Sequence, residues 1–195
     1  MKIHILLFDR FETLDAFGPA EVFGKVPDCE LSYDSVGGGP VKSAQGIEVV
    51  TRPADPSETG EVWLIPGGMG TRTLVDDEKF LRTLRGLADG SRFCLSVCTG
   101  SALLAKCGAL DGERATSNKR SLEWAKNTSD QVRWIERARW VVSGKFYTSS
   151  GISAGMDMAL GFVSDQWSRE LALEIADRIE YIWNEDRDRD DFAKK

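Results

Sequence analysis

The stretch RFCLSVCTGSALLAKCG, residues 92–108, decides the fold prediction. Its first residues are apolar and predict a short buried strand, and the Ala/Leu-rich residues predict a helix that ends at Gly108. Between them, SVCTG places Cys98 with a small residue two positions away on either side. This spacing is that of a nucleophile elbow, with cysteine in place of serine. We therefore expect a strained backbone at Cys98 and amides of a helix N-terminus that favour its thiolate. The alternative is a buried structural cysteine.

Strands and helices alternate along the chain, separated by glycine-rich turns. Residues 2–8 and 61–65 predict core strands, and residues 29–36 predict a further strand. Helices are expected from about Pro19 to Gly24, and in two C-terminal segments with apolar residues at helical spacing, residues 150–163 and 171–182. The pattern predicts an α/β fold with a central, mostly parallel sheet.

Three loops that follow core strands carry the candidate chemistry. They contain Asp15, the Gly67-Gly68 pair and Cys98. Because ligands of open α/β sheets bind at the carboxyl ends of the strands, we expect these loops to converge. Asp15 lies among apolar residues, so desolvation should raise its pKa, and the two glycines could offer oxyanion-binding amides. The alternatives are a capping or turn aspartate and a plain strand-to-helix turn.

Composition excludes several classes of function. The chain has 195 residues, a net charge of −6 and no basic stripe, which disfavours nucleic acid and anionic membranes as partners. Its one histidine, His4, lies within the first predicted strand, where a packed residue is the usual role, and none of its four cysteines forms a C-x-x-C pair. No metal site is therefore expected. No signal peptide or membrane-spanning run is expected either, so the predicted compartment is the cytoplasm.

Four motifs together resemble the ThiJ/PfpI superfamily, the class I glutamine-amidotransferase-like group. They are LDAFGPAEVF (14–23), IPGG (65–68), VCTGS (97–101) and SGISAGMD (150–157). The resemblance covers nearly the whole chain and is strongest to the isocyanide (isonitrile) hydratase branch. It implies a flavodoxin-like three-layer sandwich, formed by one domain over residues 1–195 with a charged, frayed tail at about 185–195.

The resemblance also implies roles for individual residues. Cys98 corresponds to the nucleophile, Asp15 to the acid-base carboxylate, and Thr99 to a hydroxyl that contacts substrate. The expected substrate- or oxyanion-binding positions are Gly67, Gly68, Gly100, Ser150, Gly151 and Ile152. The implied activity is a lyase reaction that hydrates isonitriles to N-substituted formamides, without a cofactor. A small-molecule substrate and a homodimer are also implied.

One departure from the relatives disfavours the protease, amidase and deglycase activities. Asn118 stands where many relatives have histidine, so we expect no Cys–His dyad, and hydratase chemistry should not need position 118. Two alternatives remain: an amidase- or glyoxalase-like enzyme, and a thiol-based redox sensor or small-molecule-binding protein without hydratase activity. A sensor would expose a low-pKa thiol to oxidants, and Cys98 would then be the most reactive of the cysteines.

Overall fold

A mostly parallel sheet of eight strands organises the computed structural model, which describes residues 1–193. In spatial order the strands are β3 (Gly39–Lys42), β4 (Glu48–Pro53), β2 (Glu30–Ser35), β1 (Lys2–Leu6), β5 (Val62–Ile65), β6 (Phe93–Ser96), β10 (Phe146–Ser149) and β9 (Trp140–Ser143). Strands β4, β2, β1, β5, β6 and β10 run parallel, and the edge strands β3 and β9 are antiparallel to their neighbours. A separate two-stranded pair joins β7 (Arg114–Ala115) to β8 (Arg133–Trp134).

Helices flank the sheet in two packed groups. One group contains α1 (Thr13–Phe23), α6 (Ala154–Gln166) and α7 (Arg169–Arg178). The other contains α2 (Thr71–Leu74), α3 (Glu78–Gly90), α4 (Gly100–Lys106) and α5 (Leu122–Lys126). The central strands β1, β5, β6 and β10 are almost entirely buried because both of their faces are covered. The predicted α/β, flavodoxin-like sandwich is confirmed.

The ends of three predicted helices are wrong. Helix α1 begins at Thr13 rather than near Pro19, so Asp15 lies in its first turn and Pro19 lies inside it. Pro19 has no N–H to give to the Asp15 carbonyl, but the helix continues because its flanking residues are buried. Helix α6 begins at Ala154, so residues 150–153 form a loop, and α7 ends at Arg178, short of the predicted residue 182.

The charged tail is ordered against the protein over residues 185–193, which contradicts the expectation that it is frayed. The Arg187 carbonyl accepts a hydrogen bond from the Arg139 amide at 2.8 Å, and the Asp190 amide donates to the Arg137 carbonyl at 2.7 Å. Asp190 is buried and faces the Arg139 guanidinium at 3.9 Å. Backbone hydrogen bonds and a buried carboxylate thus hold the tail as far as residue 193, and residues 194–195 lie outside the described part.

His4 is a packed core residue, as predicted. It is fully buried, its Nδ1 lies 2.6 Å from Asp34 Oδ2, and its ring stacks on Trp63 with centroids 4.4 Å apart. Its Nε2 lies 3.2 Å from Glu58 Oε2, so both ring nitrogens face carboxylates away from the elbow, and His4 forms no dyad with Cys98.

No helix within residues 1–193 is both long and apolar enough to cross a membrane.

Candidate functional site

Cys98 occupies the sharp turn between β6 and α4, with a backbone φ of 56°. Such a conformation costs about 1–3 kcal/mol in a non-glycine residue and persists only when surrounding contacts fix it. The Cys98 amide donates to the Ser150 carbonyl at 3.2 Å, and the Cys98 carbonyl accepts from Ser101 Oγ at 3.1 Å and Ser117 Oγ at 2.9 Å. The predicted strained elbow is confirmed, and hydrogen bonds to α4 and to two other segments hold it.

Asp15 reaches the elbow from the first turn of α1 and is completely buried. Burial raises the pKa of this carboxyl to about 8, although a hydrogen bond from the Gly67 amide to Oδ2, at 2.9 Å, acts in the opposite direction. A hydrogen bond with the Cys98 thiol also lowers the pKa, by less than burial raises it. Asp15 therefore retains its proton at neutral pH, in direct contact with the candidate nucleophile.

Gly67 lets three parts of the site meet. A Cβ atom at this position would lie 2.6 Å from the Thr99 nitrogen, 2.7 Å from Thr99 Oγ1 and 2.9 Å from Asp15 Oδ2. All three distances are too short for a carbon atom. Only glycine therefore allows the loop after β5 to pass between Asp15 and Thr99.

Gly67→Ala should lower kcat/KM for the proposed substrate by about 10²-fold. The added methyl group would displace Asp15, and a displacement of about 1 Å at a reacting group lowers the rate by about this factor. Steady-state kinetics on the folded variant, with circular dichroism to confirm the fold, would measure the effect. Gly37→Ala is the matched control, since a Cβ at exposed Gly37 would contact nothing within 4 Å. Equal activity of the two variants would contradict the role of Gly67.

Thr99 forms the second wall of the site. Its Oγ1 accepts a hydrogen bond from the Gly68 amide at 3.1 Å and lies 3.1 Å from Thr71 Oγ1. Its hydroxyl and amide both hydrogen-bond to the Cys98 sulfur. The amides of Gly67 and Gly68, which we expected to face an oxyanion, are thus occupied by Asp15 and Thr99. Here they position the side chains of Asp15 and Thr99.

Burial dominates the electrostatics of Cys98. The residue is 7% exposed, and loss of solvation raises the pKa of its thiol, with the nearby Asp15 carboxylate adding to the rise. Hydrogen bonds from Thr99 and Asn118 lower the pKa but do not compensate. The expectation that the elbow favours the thiolate is therefore wrong for the resting protein, because desolvation outweighs the helix amides.

Asn118 contacts the thiol, a contact that the sequence did not predict. Whether the chemistry needs position 118 stays a prediction. Its Oδ1 accepts from the Arg120 and Ser121 amides at 3.0 and 3.2 Å, and this leaves its amide group to donate to the Cys98 sulfur. A Cβ at Gly151 would lie 2.0 Å from Asn118 Nδ2, so Gly151 leaves the space that Asn118 occupies.

Arg72 is a further residue that sequence reasoning missed. Its guanidinium lies 3.4 Å from the centroid of the Trp124 ring and donates to Ser121 Oγ at 2.9 Å. Its charge also interacts favourably with a Cys98 thiolate. Nothing in the sequence spacing links Arg72 to residue 98, because the link arises where α2 packs against α4.

A pocket of about 410 Å³ adjoins the elbow, within the usual size range for small-molecule sites. Its lining consists of residues 118–120, residues 150–153, Leu14 and Phe192. Three of the predicted binding residues, Ser150, Gly151 and Ile152, line it. Gly100 does not: it is buried in α4, where a Cβ would lie 2.3 Å from the Ile65 carbonyl oxygen, so it serves close packing. Among residues 1–193 no group of three or more His, Cys, Asp or Glu side chains could hold a metal ion.

Comparisons with known proteins agree with this architecture. Residues 1–165 match the DJ-1/PfpI family. The chain is 31% identical to an isonitrile hydratase from Pseudomonas putida over 93% of its own length and 78% of that protein. It is 26% identical to protein/nucleic acid deglycase 2 from Escherichia coli, over 73% of this chain and 87% of the relative.

A solved structure shares the fold. It is that of a ThiJ/PfpI family protein from Pseudomonas syringae, with a TM-score of 0.80 and 24% identity, covering 94% of this chain and 76% of that one. The resemblance inferred from the four sequence motifs is thereby confirmed, and the family includes enzymes such as an isonitrile hydratase and a deglycase. The chain belongs to the DJ-1/PfpI family.

Proposed function

We propose that this protein is a lyase that hydrates isonitriles to N-substituted formamides, with Cys98 as nucleophile and Asp15 as acid and base. The observation that carries the proposal is a buried, protonated carboxyl group in contact with the thiol of a strained elbow. Such a pair can deliver a proton to carbon and then accept one from water. Similarity to an isonitrile hydratase over most of the chain favours this chemistry over others of the family.

The first step adds the thiol across the terminal isonitrile carbon. Because the pKa of each group is raised, both Asp15 and Cys98 are protonated in the resting protein. When one proton is lost to solvent, the two groups share the proton that remains. In the reactive form the proton is on Asp15 and the sulfur is a thiolate. The sulfur forms a C–S bond to the isonitrile carbon, Asp15 donates its proton to the same carbon, and a covalent thioimidate results.

The second step consumes water. The Asp15 carboxylate takes a proton from a water molecule as the oxygen bonds to the thioimidate carbon, and the substrate nitrogen receives that proton. The tetrahedral adduct then collapses: the C–S bond breaks, the hydroxyl proton passes to Asp15, and the N-substituted formamide leaves. The sulfur is again a thiolate beside a protonated Asp15, so the cycle closes with one water added.

The remaining residues support these steps. Thr99 and Asn118 hydrogen-bond to the sulfur and so stabilise the thiolate when it forms and when it leaves. The Gly67 amide hydrogen-bonds to Asp15, and the Gly68 amide hydrogen-bonds to Thr99. To bind an oxyanion, each amide must first release its present acceptor. Ser150 fixes the elbow through its carbonyl, and Gly151 and Ile152 form the wall of the substrate pocket.

The proposal competes with a redox sensor and with an amidase- or glyoxalase-like enzyme. A sensor requires an exposed thiol of low pKa, whereas Cys98 is 7% exposed and its pKa is raised. A Cys–His enzyme requires a histidine at the thiol, whereas Asn118 occupies that position and His4 is bound to Asp34. Both observations favour a Cys–Asp mechanism.

Incubation of the purified protein with cyclohexyl isocyanide tests the proposal. Proton NMR should show the formyl proton of N-cyclohexylformamide, growing in proportion to enzyme concentration. Failure to hydrate a panel of alkyl and aryl isocyanides, together with turnover of methylglyoxal or of simple amides, would contradict it.

We also propose a homodimer that acts in the cytoplasm, where its free cysteines stay reduced. Light scattering coupled to size exclusion should give twice the monomer mass of 21.6 kDa. A stable monomer at micromolar concentration would refute the dimer without affecting the proposed chemistry.

A further inference from the structure

The described ionisable side chains that line the substrate pocket are all basic. Its lining includes two ionisable side chains, Lys119 and Arg120, and contains no Asp or Glu. The basic lining contrasts with the net charge of the whole chain, which is −6. A basic pocket in an acidic protein concentrates positive potential where a ligand enters, because the low-dielectric walls focus the field.

Arg120 is available to bind a ligand. It is exposed, and it shares a neighbouring depression with two acidic residues, Glu123 and Glu136. Both of those carboxylates form ion pairs with Lys126, and the Glu123 pair is 3.1 Å long. No described carboxylate forms an ion pair with Arg120 itself, so its planar guanidinium faces the pocket without a counter-ion. That geometry suits bidentate binding of a carboxylate.

Lys119 contributes charge from a fixed position. Its Nζ donates to the Ala138 carbonyl at 2.6 Å and to Thr116 Oγ1 at 2.9 Å, and its side chain lines the pocket. Two hydrogen bonds hold the amino group in place. Burial lowers the pKa of Lys119 to about 8, and the carboxylates of Asp190 and Glu136 oppose this shift, so Arg120 carries the larger share of the pocket's positive charge.

Three large apolar side chains also line the pocket, beside the polar residues Asn118, Ser150 and Ser153. Leu14, Ile152 and Phe192 are 44%, 38% and 74% exposed, which is unusual for large apolar side chains, and all three line this pocket. Phe192 is held there by the ordered tail, since its amide donates to Asp190 Oδ1 at 2.9 Å and Asp190 is buried beside Arg139. A ligand body without polar groups would cover these three side chains.

We propose that the natural substrate is an isonitrile with an apolar body and a carboxylate at the end remote from the isonitrile group. This inference rests on the proposed hydratase function and specifies its substrate class. The isonitrile carbon meets Cys98, the apolar body covers Leu14, Ile152 and Phe192, and the carboxylate binds Arg120. The carboxylate takes no part in the reaction and is retained in the N-formyl product.

Kinetics with a matched pair of substrates test the proposal. The pair is 6-isocyanohexanoate and its primary amide, which differ in charge but hardly in shape. We expect kcat/KM to favour the carboxylate by about tenfold, mainly through KM, with the preference shrinking as salt screens the interaction. Arg120→Gln should abolish most of this preference, whereas Arg82→Gln, on exposed α3 and paired with Glu78, should retain it. Equal kcat/KM values for the two substrates in the wild type would overturn the proposal.

A second measurement needs no turnover and so separates this inference from the proposed function. Iodoacetate and iodoacetamide both alkylate a thiolate with loss of iodide, and they differ in charge. Peptide mass spectrometry measures the rate at which each reagent alkylates Cys98. The iodoacetate rate divided by the iodoacetamide rate should be higher at Cys98 than for free cysteine, and Arg120→Gln should lower this ratio. If no isonitrile is hydrated but the ratio behaves in this way, the hydratase proposal fails and the carboxylate site stands. A ratio unchanged by Arg120→Gln would overturn the carboxylate site, whatever the activity.

Discussion

Cys98→Ser should remove isonitrile hydration almost completely, with kcat lowered by more than about 10³-fold, since loss of a nucleophile in a hydrolase costs up to about 10⁶. Serine preserves the size of the side chain, and the hydrogen bonds that hold the elbow are made by the backbone of residue 98. The fold should therefore survive. The hydroxyl is a far weaker nucleophile than the thiolate, and Asp15 is too weak a base to ionise it.

Cys107→Ser is the matched control for this experiment. Cys107 is partly buried, and its Sγ donates to the Leu104 carbonyl at 3.3 Å, a bond that a serine hydroxyl can replace. Formamide production measured by NMR should be unchanged in this variant. If Cys98→Ser retained more than a tenth of the wild-type rate, the covalent mechanism would be refuted.

Asp15→Asn should lower kcat by about 10²–10⁴-fold, the usual contribution of a positioned proton-transfer group. The amide oxygen can still accept the hydrogen bond from Gly67, so the geometry of the site should be kept. The variant can neither protonate the isonitrile carbon nor take a proton from water. Asp76→Asn, at an exposed position before α3, is the control and should have wild-type kinetics.

The same variant tests the raised pKa without any substrate. Between pH 4 and pH 8 the folded protein keeps a proton on Asp15, whose pKa is about 8, whereas the unfolded chain, with a value of 3.8, does not. Each pH unit in this window therefore lowers the free energy of unfolding of the wild type by up to about 1.4 kcal/mol relative to Asp15→Asn. Urea unfolding of both proteins at several pH values measures this difference. If the free energy of unfolding changed with pH in the same way for both proteins, Asp15 would be ionised in the folded protein at neutral pH.

The parts of the site that could be predicted from the sequence are those governed by local chain geometry. The SVCTG spacing predicts a sharp turn with a strained backbone at Cys98, and the φ of 56° at this residue confirms it. Asp15, Gly67 and Cys98 could be grouped because each follows a parallel strand, and such strands all end at one edge of the sheet.

Other parts depend on tertiary packing and were not predictable. Asn118 reaches the thiol from a loop that follows the short strand β7, and Arg72, on α2, interacts with it through its charge. The sign of the Cys98 pKa shift depends on how completely neighbouring segments exclude water, which no spacing rule reports. The ordered tail was missed because its charges predict solvation, whereas Asp190 is buried beside Arg139.

Mass spectrometry of the enzyme after a rapid acid quench tests the central claim most directly. Mixed with excess cyclohexyl isocyanide, the wild type should carry an adduct of the full substrate mass on the peptide that contains Cys98, as addition of a thiol to an isonitrile requires. The adduct should appear before the formamide and be absent from Cys98→Ser. Formamide release at the full rate with no adduct, or an adduct on Cys29, Cys94 or Cys107 alone, would contradict the account.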